Sequence, residues 1–516
     1  MQIAPTFLRF GPSACILALC VAVLLPLPFL GRTPFAYVEL LTLDSLSLSL
    51  SGLVQHRLDG AHTPTWYLLL QQLGLAEAPP WLLRLPSTLA HGVAALLAAL
   101  CGRRLAGPRG MLLAGLLVAL HPILLEFANY ARPYAPLIAA TFWLLLSAAA
   151  LADRPRLAVA ALGRGLPAGR RRRRLRWLWA SATLAPLAAA SLLPLGILVW
   201  AVLDLALAAW LWGRRGQGRR ARRRLLGRLL LMRLLPILLT ALGYLALYAA
   251  FSRMAGNYWP REFALKSVLQ TLETSHGWVP MVDRDAFLPG LGNWILGLGM
   301  GALALLGFLT ARRRALRLMS AALTLGLPLL LLAMSLHTSL LVPRYFAPAS
   351  AGLALLAAVG AAWLSCRLRP PAVSALLVVA LLAPAGLQAL DAITGDRGRP
   401  RIEILAGWMA DAETRPGEEA LMTNFQATSF AINHYLAKWN SPRVAVDVDY
   451  PTARVLLDKG RRIWVVSVYD KNIPTWVETL AQGRSLVACE RRIEALVTVI
   501  VVALEAAALP PVCGEP

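Results

Sequence analysis

Residues 83–104 read LRLPSTLAHGVAALLAALCGRR. Between Arg84 and Arg103 stand eighteen residues without Asp, Glu, Lys or Arg, about the length an α-helix needs to cross roughly 30 Å of hydrocarbon. A pair of arginines closes the run, as expected where a span ends on the cytoplasmic side. This block is a membrane span, and its pattern recurs on both sides. Apolar blocks near 7–30, 83–101, 110–127, 134–152, 177–194, 196–212, 234–251, 290–311, 318–337, 345–365 and 372–390 predict about eleven transmembrane helices in an all-α polytopic bundle. The division between the fifth and sixth blocks falls in a Pro-containing stretch without charge.

The composition of the 516-residue chain agrees. It is 58% hydrophobic and 15% charged, where an ordinary soluble domain carries about a quarter charged residues, so a soluble globule is excluded. The net charge of +24 does not point to nucleic acid. Its arginines lie in short runs between apolar blocks, and none is interleaved with stacking aromatics on a polar segment. The Arg103-Arg104 pair, the run from Arg170 to Arg176, the cluster from Arg214 to Arg233, Arg312 to Arg317 and Arg367 to Arg369 fall on alternate loops, which assigns those loops to the cytoplasm of a multi-pass inner (plasma) membrane protein. The first block is longer than a signal-peptide core and lacks a small-x-small cleavage site, so it reads as a retained first helix.

The other loops then face outward: 31–82, a turn near Asn129, 252–289 and a turn near Thr338. Segment 46–75 suits helices lying along the interface. Two domains follow: a transmembrane domain over 1–390 with an interfacial first loop, and an extracytoplasmic α/β domain over 391–516. The latter shows strand-like Arg462 to Val468 and helix-like Thr475 to Gln482. The apolar piece from Ala495 reads either as a twelfth span or, over Val499 to Leu504, as a buried strand. Cys489 and Cys513 would oxidise on that side if they meet. Cys15, Cys20, Cys101 and Cys366 show no metal-ligand spacing.

Chemistry has few candidate carriers. Asp44, in Leu-Thr-Leu-Asp-Ser-Leu, is an acid among apolar neighbours. It serves either as a general base or as the N-cap of a helix beginning at Ser45. His62-Thr63-Pro64-Thr65-Trp66-Tyr67 forms a polar turn into a helix. Asn129-Tyr130-Ala131-Arg132-Pro133-Tyr134 wedges an arginine between two spans, suited to an anionic phosphate or to headgroup anchoring, and Pro343-Arg344-Tyr345 repeats the arrangement. Glu126 offers either a second carboxylate or an end-of-span residue facing headgroups. His276 in the second loop reads as a surface histidine or a substrate contact.

Taken in order, Asp44, His62 through Leu70, Leu83-Arg84-Leu85-Pro86-Ser87, Gly102 through Leu105 and Tyr130 through Tyr134 resemble glycosyltransferase family 39. That family has the GT-C fold and includes protein O-mannosyltransferases and the aminoarabinose transferase of lipid A. The resemblance covers about 110 residues, Arg344-Tyr345 adds a later element, and the tail is similar to the outer α/β domain of some members. It implies an inverting transfer of a sugar from a polyprenyl-phosphate donor to a hydroxyl of a lipid, glycan or protein acceptor. Asp44 matches the first-loop catalytic carboxylate, with Glu126 as a second candidate. Arg132 and Arg344 would stabilise the departing phosphate, with His62, Tyr134 and Tyr345 in supporting contacts. No metal site or cofactor is assigned, although some relatives with the fold use a divalent cation held partly by substrate phosphate. The chain departs from the family where Ser45 follows Asp44, where His62-Thr63-Pro64 replaces His-Pro-Pro, and where Tyr130 replaces a glutamate. The alternatives from other classes are a transporter or flippase of a lipid-linked sugar, for which Asp204 is the notable mid-span charge, and a non-catalytic scaffold of the same fold.

Overall fold

The computed structural model describes residues 11–32, 35, 37–59, 62–153, 170–213, 227, 233–245, 291–336, 340–368, 371–394, 402–411, 418–423, 428–439, 441–468, 473–481, 486–493 and 497–504. Loop 252–289, with His276, lies outside them. The chain forms two compact units, Met1–Leu30 with Leu48–Gly395, and Gly31–Ser47 with Asp396–Pro516.

The first unit is helical among the described residues. Helix α1 spans Gly11–Leu24; α3 (Leu50–Asp59) and α4 (Thr65–Gln72) are the short helices of the first loop; α2, described below, belongs to the second unit. Then come α5 (Pro80–Ala106), α6 (Pro108–Ala119), α7 (Pro122–Ala128), α8 (Tyr134–Asp153), α9 (Arg170–Leu192), α10 (Leu195–Trp212), α11 (Arg233–Leu245), α12 (Leu291–Thr310), α13 (Arg314–Ser335), α14 (Pro343–Arg367) and α15 (Pro371–Thr394). Five of these, α5, α8, α10, α13 and α14, are long and apolar enough to cross a membrane singly. Shorter apolar helices lie at Ser13–Phe29, Ala180–Leu192, Arg233–Leu245, Ile295–Thr310 and Ala372–Leu387. Each expected apolar block coincides with helix among the described residues, and the chain is a multi-pass membrane protein.

One block is not the continuous span its hydropathy predicts. The 110–127 block is two helices, α6 and α7, bent by 62°. Pro122 stands at the first position of α7, where its missing N–H costs nothing, and it bars the preceding residue, His121, from helical geometry. The stretch around Pro194 does separate α9 from α10.

In hydrocarbon all sides of a helix are equally apolar, so close backbone approach decides which helices pair. A Cβ on Gly307 of α12 would run into the Leu356 carbonyl, and one on Gly360 of α14 into the Leu303 carbonyl. The α5–α6 hairpin turns on Gly107 at φ +80°, and Gly102 and Gly110 meet backbone to backbone beside it. The notable mid-span acid is taken up: Asp204 of α10 receives the Arg233 Nε and Nη2 groups at 2.8 and 2.9 Å and the Trp200 indole N–H at 2.6 Å. Arg233 also donates to the Ala182 carbonyl of α9. This ion pair staples three helices.

The second unit combines α2 (Tyr37–Ser47) with α16 (Ile402–Asp411), β1 (Glu418–Thr423), α17 (Thr428–Lys438), β2 (Val444–Asp447), α18 (Tyr450–Asp458), β3 (Ile463–Val468), α19 (Ile473–Ala481), β4 (Val487–Ile493) and β5 (Val497–Ala503). The sheet order is β2-β1-β3-β5-β4. The first three strands are parallel through helical crossovers, and β5 and β4 are antiparallel. Ile463, Val465, Leu457, Ile500 and Val502 form its core. The piece from Ala495 is therefore a strand, β5, and not a span. Glu419 of β1 accepts from Arg462 at 2.7 and 3.0 Å and from the Trp464 indole at 2.9 Å. Burial opposes its ionisation, but these hydrogen bonds and the charges of Arg462 and Arg443 outweigh it and hold the carboxyl below its usual range. Cys489 is disulfide-bonded; Cys513 lies outside the described residues. Gly31–Ser47, which lies in the first loop of the sequence, packs with this unit, where α2 lies against α17 and Phe35 meets His434 edge-on at 5.9 Å.

Candidate active site

The break between α6 and α7 and the turn after α7 interrupt the helical ladder, and at membrane depth the freed carbonyls need partners. Helix α5 supplies them from one buried row. His91 Nε2 donates to the Ala119 carbonyl at 3.1 Å, which fixes the ring proton on Nε2; Thr88 donates to the Ala128 carbonyl at 2.9 Å and Ser87 to the Arg132 carbonyl at 3.3 Å. These three bonds hold the turn that presents Arg132.

Arg132 is 5% exposed, and its Nη1 donates to the Tyr67 hydroxyl at 2.5 Å. Tyr67 stands on α4, which Pro64 starts and Thr63 anchors by donating to the Leu192 carbonyl at 2.6 Å. The Arg57 guanidinium, also buried, lies 4.6 Å over the Tyr67 ring. One phenol therefore sits between two arginines, in hydrogen-bond contact with one and in cation–π contact with the other.

The electrostatics bring in the remaining elements of this unit. His62 is half-buried, and burial followed by the charges of Arg132, Arg57 and Arg344 pushes its imidazole well below the usual range. It is neutral at neutral pH, a hydrogen-bonding group and not a cation. Arg344 and Arg132 both act on the buried Tyr134, as do Tyr345 and Tyr67. Tyr134 stacks on Phe127 at 4.7 Å, and Arg344 lies 5.5 Å over the Tyr345 ring. His62, Arg132, Tyr134, Arg344 and Tyr345, drawn from three separate stretches of sequence, thus share one neighbourhood.

Glu126 is 4% exposed on α7, so the headgroup-facing alternative gives way to a buried carboxylate one helical turn before Tyr130. Asp44 belongs to the second unit, half-buried near the end of α2. The N-cap alternative is overturned: α2 already begins at Tyr37, and Asp44 falls in its last turn. Ser45 donates to the Leu41 carbonyl at 2.7 Å, an ordinary back-bond within the helix.

Several residues were not assigned from the sequence. The sequence gives Tyr67 no role beyond its place in the turn after His62 and does not single out Arg57 within segment 46–75; only the crossing of α3 and α4 reveals their contact. Glu39 is fully buried on α2, and an acid in Tyr-Val-Glu-Leu-Leu carries the same sequence signal as Asp44. Asn129 is fully buried, and among the described residues neither atom of its amide finds a hydrogen-bond partner; the same holds for the Trp66 indole N–H. Unpaired buried polar groups cost about 1–3 kcal/mol each, which makes them candidates for contact with a bound molecule. Among the described residues no group of three or more His, Cys, Asp or Glu is arranged to hold a metal ion.

No protein-family model matches the chain, and a search of curated proteins finds no match either. Solved structures do match. ArnT from Cupriavidus metallidurans in the apo state is similar over 97% of this chain and 99% of that one, with a TM-score of 0.57 at 15% identity. The same protein bound to undecaprenyl phosphate aligns over 97% and 100%, with a TM-score of 0.54 at 15% identity. The apo oligosaccharyltransferase of Archaeoglobus fulgidus aligns over 92% of this chain and 71% of that one, with a TM-score of 0.51 at 12% identity. The likeness runs through both units and gives the chain the GT-C fold, a polytopic helical bundle carrying a small α/β domain.

Proposed function

We propose that the protein is an inverting glycosyltransferase that moves a sugar from a polyprenyl-phosphate donor to a hydroxyl of a lipid, glycan or protein acceptor. The observation that carries this reading is the convergence of Arg132 and Arg344, more than two hundred residues apart in sequence, on one buried cluster of Tyr67, Tyr134 and His62. Positive groups fixed in a water-poor site stabilise charge that develops on a departing phosphate. The family resemblance, together with the undecaprenyl phosphate held by the C. metallidurans protein, supports a lipid-linked donor whose isoprenoid lies among the helices.

In the proposed reaction Asp44 takes the proton of the acceptor hydroxyl as its oxygen attacks the anomeric carbon. The bond from that carbon to the phosphate oxygen breaks, and the charge left on the lipid phosphate rests on Arg132 and Arg344. Neutral His62, Tyr134 and Tyr345 position the phosphate, and Glu126 is the second carboxylate. The disulfide at Cys489 supports an extracytoplasmic α/β domain, because such bonds persist in oxidising compartments. The Arg-rich loops support the opposite side as cytoplasmic, in an inner (plasma) membrane. The transporter alternative loses its main sequence feature, since Asp204 is engaged by Arg233 and Trp200.

The test is release of free polyprenyl phosphate from a panel of polyprenyl-phosphate sugars by purified protein supplied with native membrane extract as acceptor. Release by wild type, with Asp44→Asn reduced at least about 100-fold as expected for loss of a general base, supports the reading. A folded wild type that releases nothing from any donor refutes it, and undiminished release by Asp44→Asn removes the mechanistic assignment.

A further inference from the structure

Asn129 closes α7 at the turn that presents Arg132, and it carries hydrogen-bonding capacity that the fold leaves unused. Its side chain is fully buried, and among the described residues neither Oδ1 nor Nδ2 has a partner. A carboxamide accepts at one end and donates at the other, and an empty end is unfavourable where water is excluded. The backbone does not call for asparagine here. At φ −93° and ψ 11° the residue stands outside the left-handed region in which asparagine is favoured at a helix end. Nor does the amide belong to the row on α5 that supports the broken segment: Ser87, Thr88 and His91 bond the carbonyls of Arg132, Ala128 and Ala119, and the Asn129 side chain takes no part.

The position of the amide ties it to the candidate site. Asn129 lies three residues before Arg132, so their Cα atoms are at most about 11 Å apart. Its N–H donates to the Glu126 carbonyl at 2.9 Å, a tight last turn that sets the two side chains one above the other. On α4, Trp66 directly precedes Tyr67, the acceptor of the Arg132 Nη1 proton. The Trp66 indole is 3% exposed, and its N–H is likewise without a partner among the described residues. Each member of the Arg132–Tyr67 contact therefore has an unfilled polar group within three residues. Arg132 and Tyr134 are themselves 5% and 6% exposed, so a donor that reaches them opens the same packed site.

The chemistry of the amide selects the part of the donor it meets. A phosphate offers acceptors alone: it would satisfy Nδ2 and set its own oxygens against Oδ1. A hydroxyl both donates and accepts, and the ring hydroxyls of the sugar are the nearest such groups to a phosphate held by Arg132. We propose that Asn129 is a specificity-determining residue that reads the donor sugar, with Nδ2 donating to a ring hydroxyl and Oδ1 accepting from the same hydroxyl or its neighbour. This rests on the phosphate reading of Arg132 given above.

The experiment compares the full chain with Asn129→Leu, which keeps the branch at Cγ and deletes the amide. Thermal unfolding without ligand reads the effect on the fold. Titration followed by tryptophan fluorescence reads binding of bare polyprenyl phosphate and of polyprenyl-phosphate glucose, mannose, galactose and arabinose. The expected result is a thermal midpoint at or above wild type, unchanged affinity for the bare lipid, and affinity for the best-bound sugar lipid weaker by roughly 10- to 100-fold, the loss of two hydrogen bonds. Unchanged affinity for every sugar lipid, or equal loss on bare and sugar-bearing lipids, overturns the proposal. So does a lower midpoint in both Asn129→Leu and Asn129→Ala, which would make the amide a structural group. A drop in the leucine variant alone is steric, and the same binding comparison made with Asn129→Ala then decides. A folded wild type that binds neither bare nor sugar-bearing lipid refutes the phosphate reading and this proposal with it, whereas the preceding outcomes refute the proposal alone.

Discussion

Replacing Tyr67 with Phe deletes one oxygen from the candidate site and leaves the ring. The hydroxyl lost is the acceptor of the Arg132 Nη1 proton at 2.5 Å, in a place where Arg132 is 5% exposed and Tyr67 fully buried. A hydrogen bond to a charged group is worth about 1.5–3 kcal/mol, and with water excluded the freed N–H finds no ready substitute. The Arg57 guanidinium, 4.6 Å above the ring, keeps its cation–π contact of about 0.5–2 kcal/mol. If Tyr67 holds Arg132 in the orientation that meets the lipid phosphate, Tyr67→Phe weakens polyprenyl-phosphate binding by roughly 10- to 150-fold. Tyr67→Leu, which also removes the ring, weakens it further. The assay is titration of detergent-solubilised protein with polyprenyl phosphate, read by intrinsic tryptophan fluorescence, with thermal unfolding confirming that each variant is folded. A folded Tyr67→Phe that binds the lipid as tightly as wild type refutes the reasoning, because the Arg132 contact would then have no part in phosphate recognition.

The His62 imidazole is depressed in the folded chain by burial and three arginines and titrates near 6.5 when unfolded, so its contribution is complete above that pH. It declines as pH falls, by up to about 1.4 kcal/mol per unit. Between pH 7.5 and 5.5 the thermal midpoint should therefore drop more steeply for wild type than for His62→Gln, and parallel curves would count against it. Asp204→Asn leaves the buried Arg233 without a counter-charge and should cost about 3–5 kcal/mol, while Asp204→Leu/Arg233→Met restores much of the loss; unfolding in detergent measures both. Gly360→Val drives a side chain into the Leu303 backbone and should destabilise by about 1–3 kcal/mol or more, whereas Gly301→Ala, with open space around it, should stay within about 0.5 kcal/mol.

The bundle is legible because the bilayer imposes a length and a polarity on every crossing, and blocks such as 83–101 meet both without reference to their neighbours. What crosses between elements is less legible. Hydropathy averages over the bend at His121-Pro122, although the dipeptide itself is the signal. Ser87, Thr88 and His91 look like incidental polar residues in α5 until the carbonyls of the broken segment are seen beside them. Asp44 caps no helix because Tyr-Val-Glu-Leu-Leu, whose apolar spacing already marks it as helical, places α2 ahead of it. The Arg132 and Arg344 elements were recognisable by repetition, a pattern along the chain. Arg57 over Tyr67 has no such trace, since it depends on how α3 and α4 cross.

The pairing of α2 with α17 sets a schedule for biosynthesis. Helix α2 emerges with the first loop, and the element it packs against is synthesised about 400 residues later. At about 5–20 residues per second the ribosome needs roughly 20–80 s to deliver it. For that interval Phe35 lacks its His434 contact, while the intervening helices are already entering the membrane. A chain stalled or cut before the final domain would keep its spans and leave the first loop waiting, open to quality-control proteases that recognise an unfinished surface.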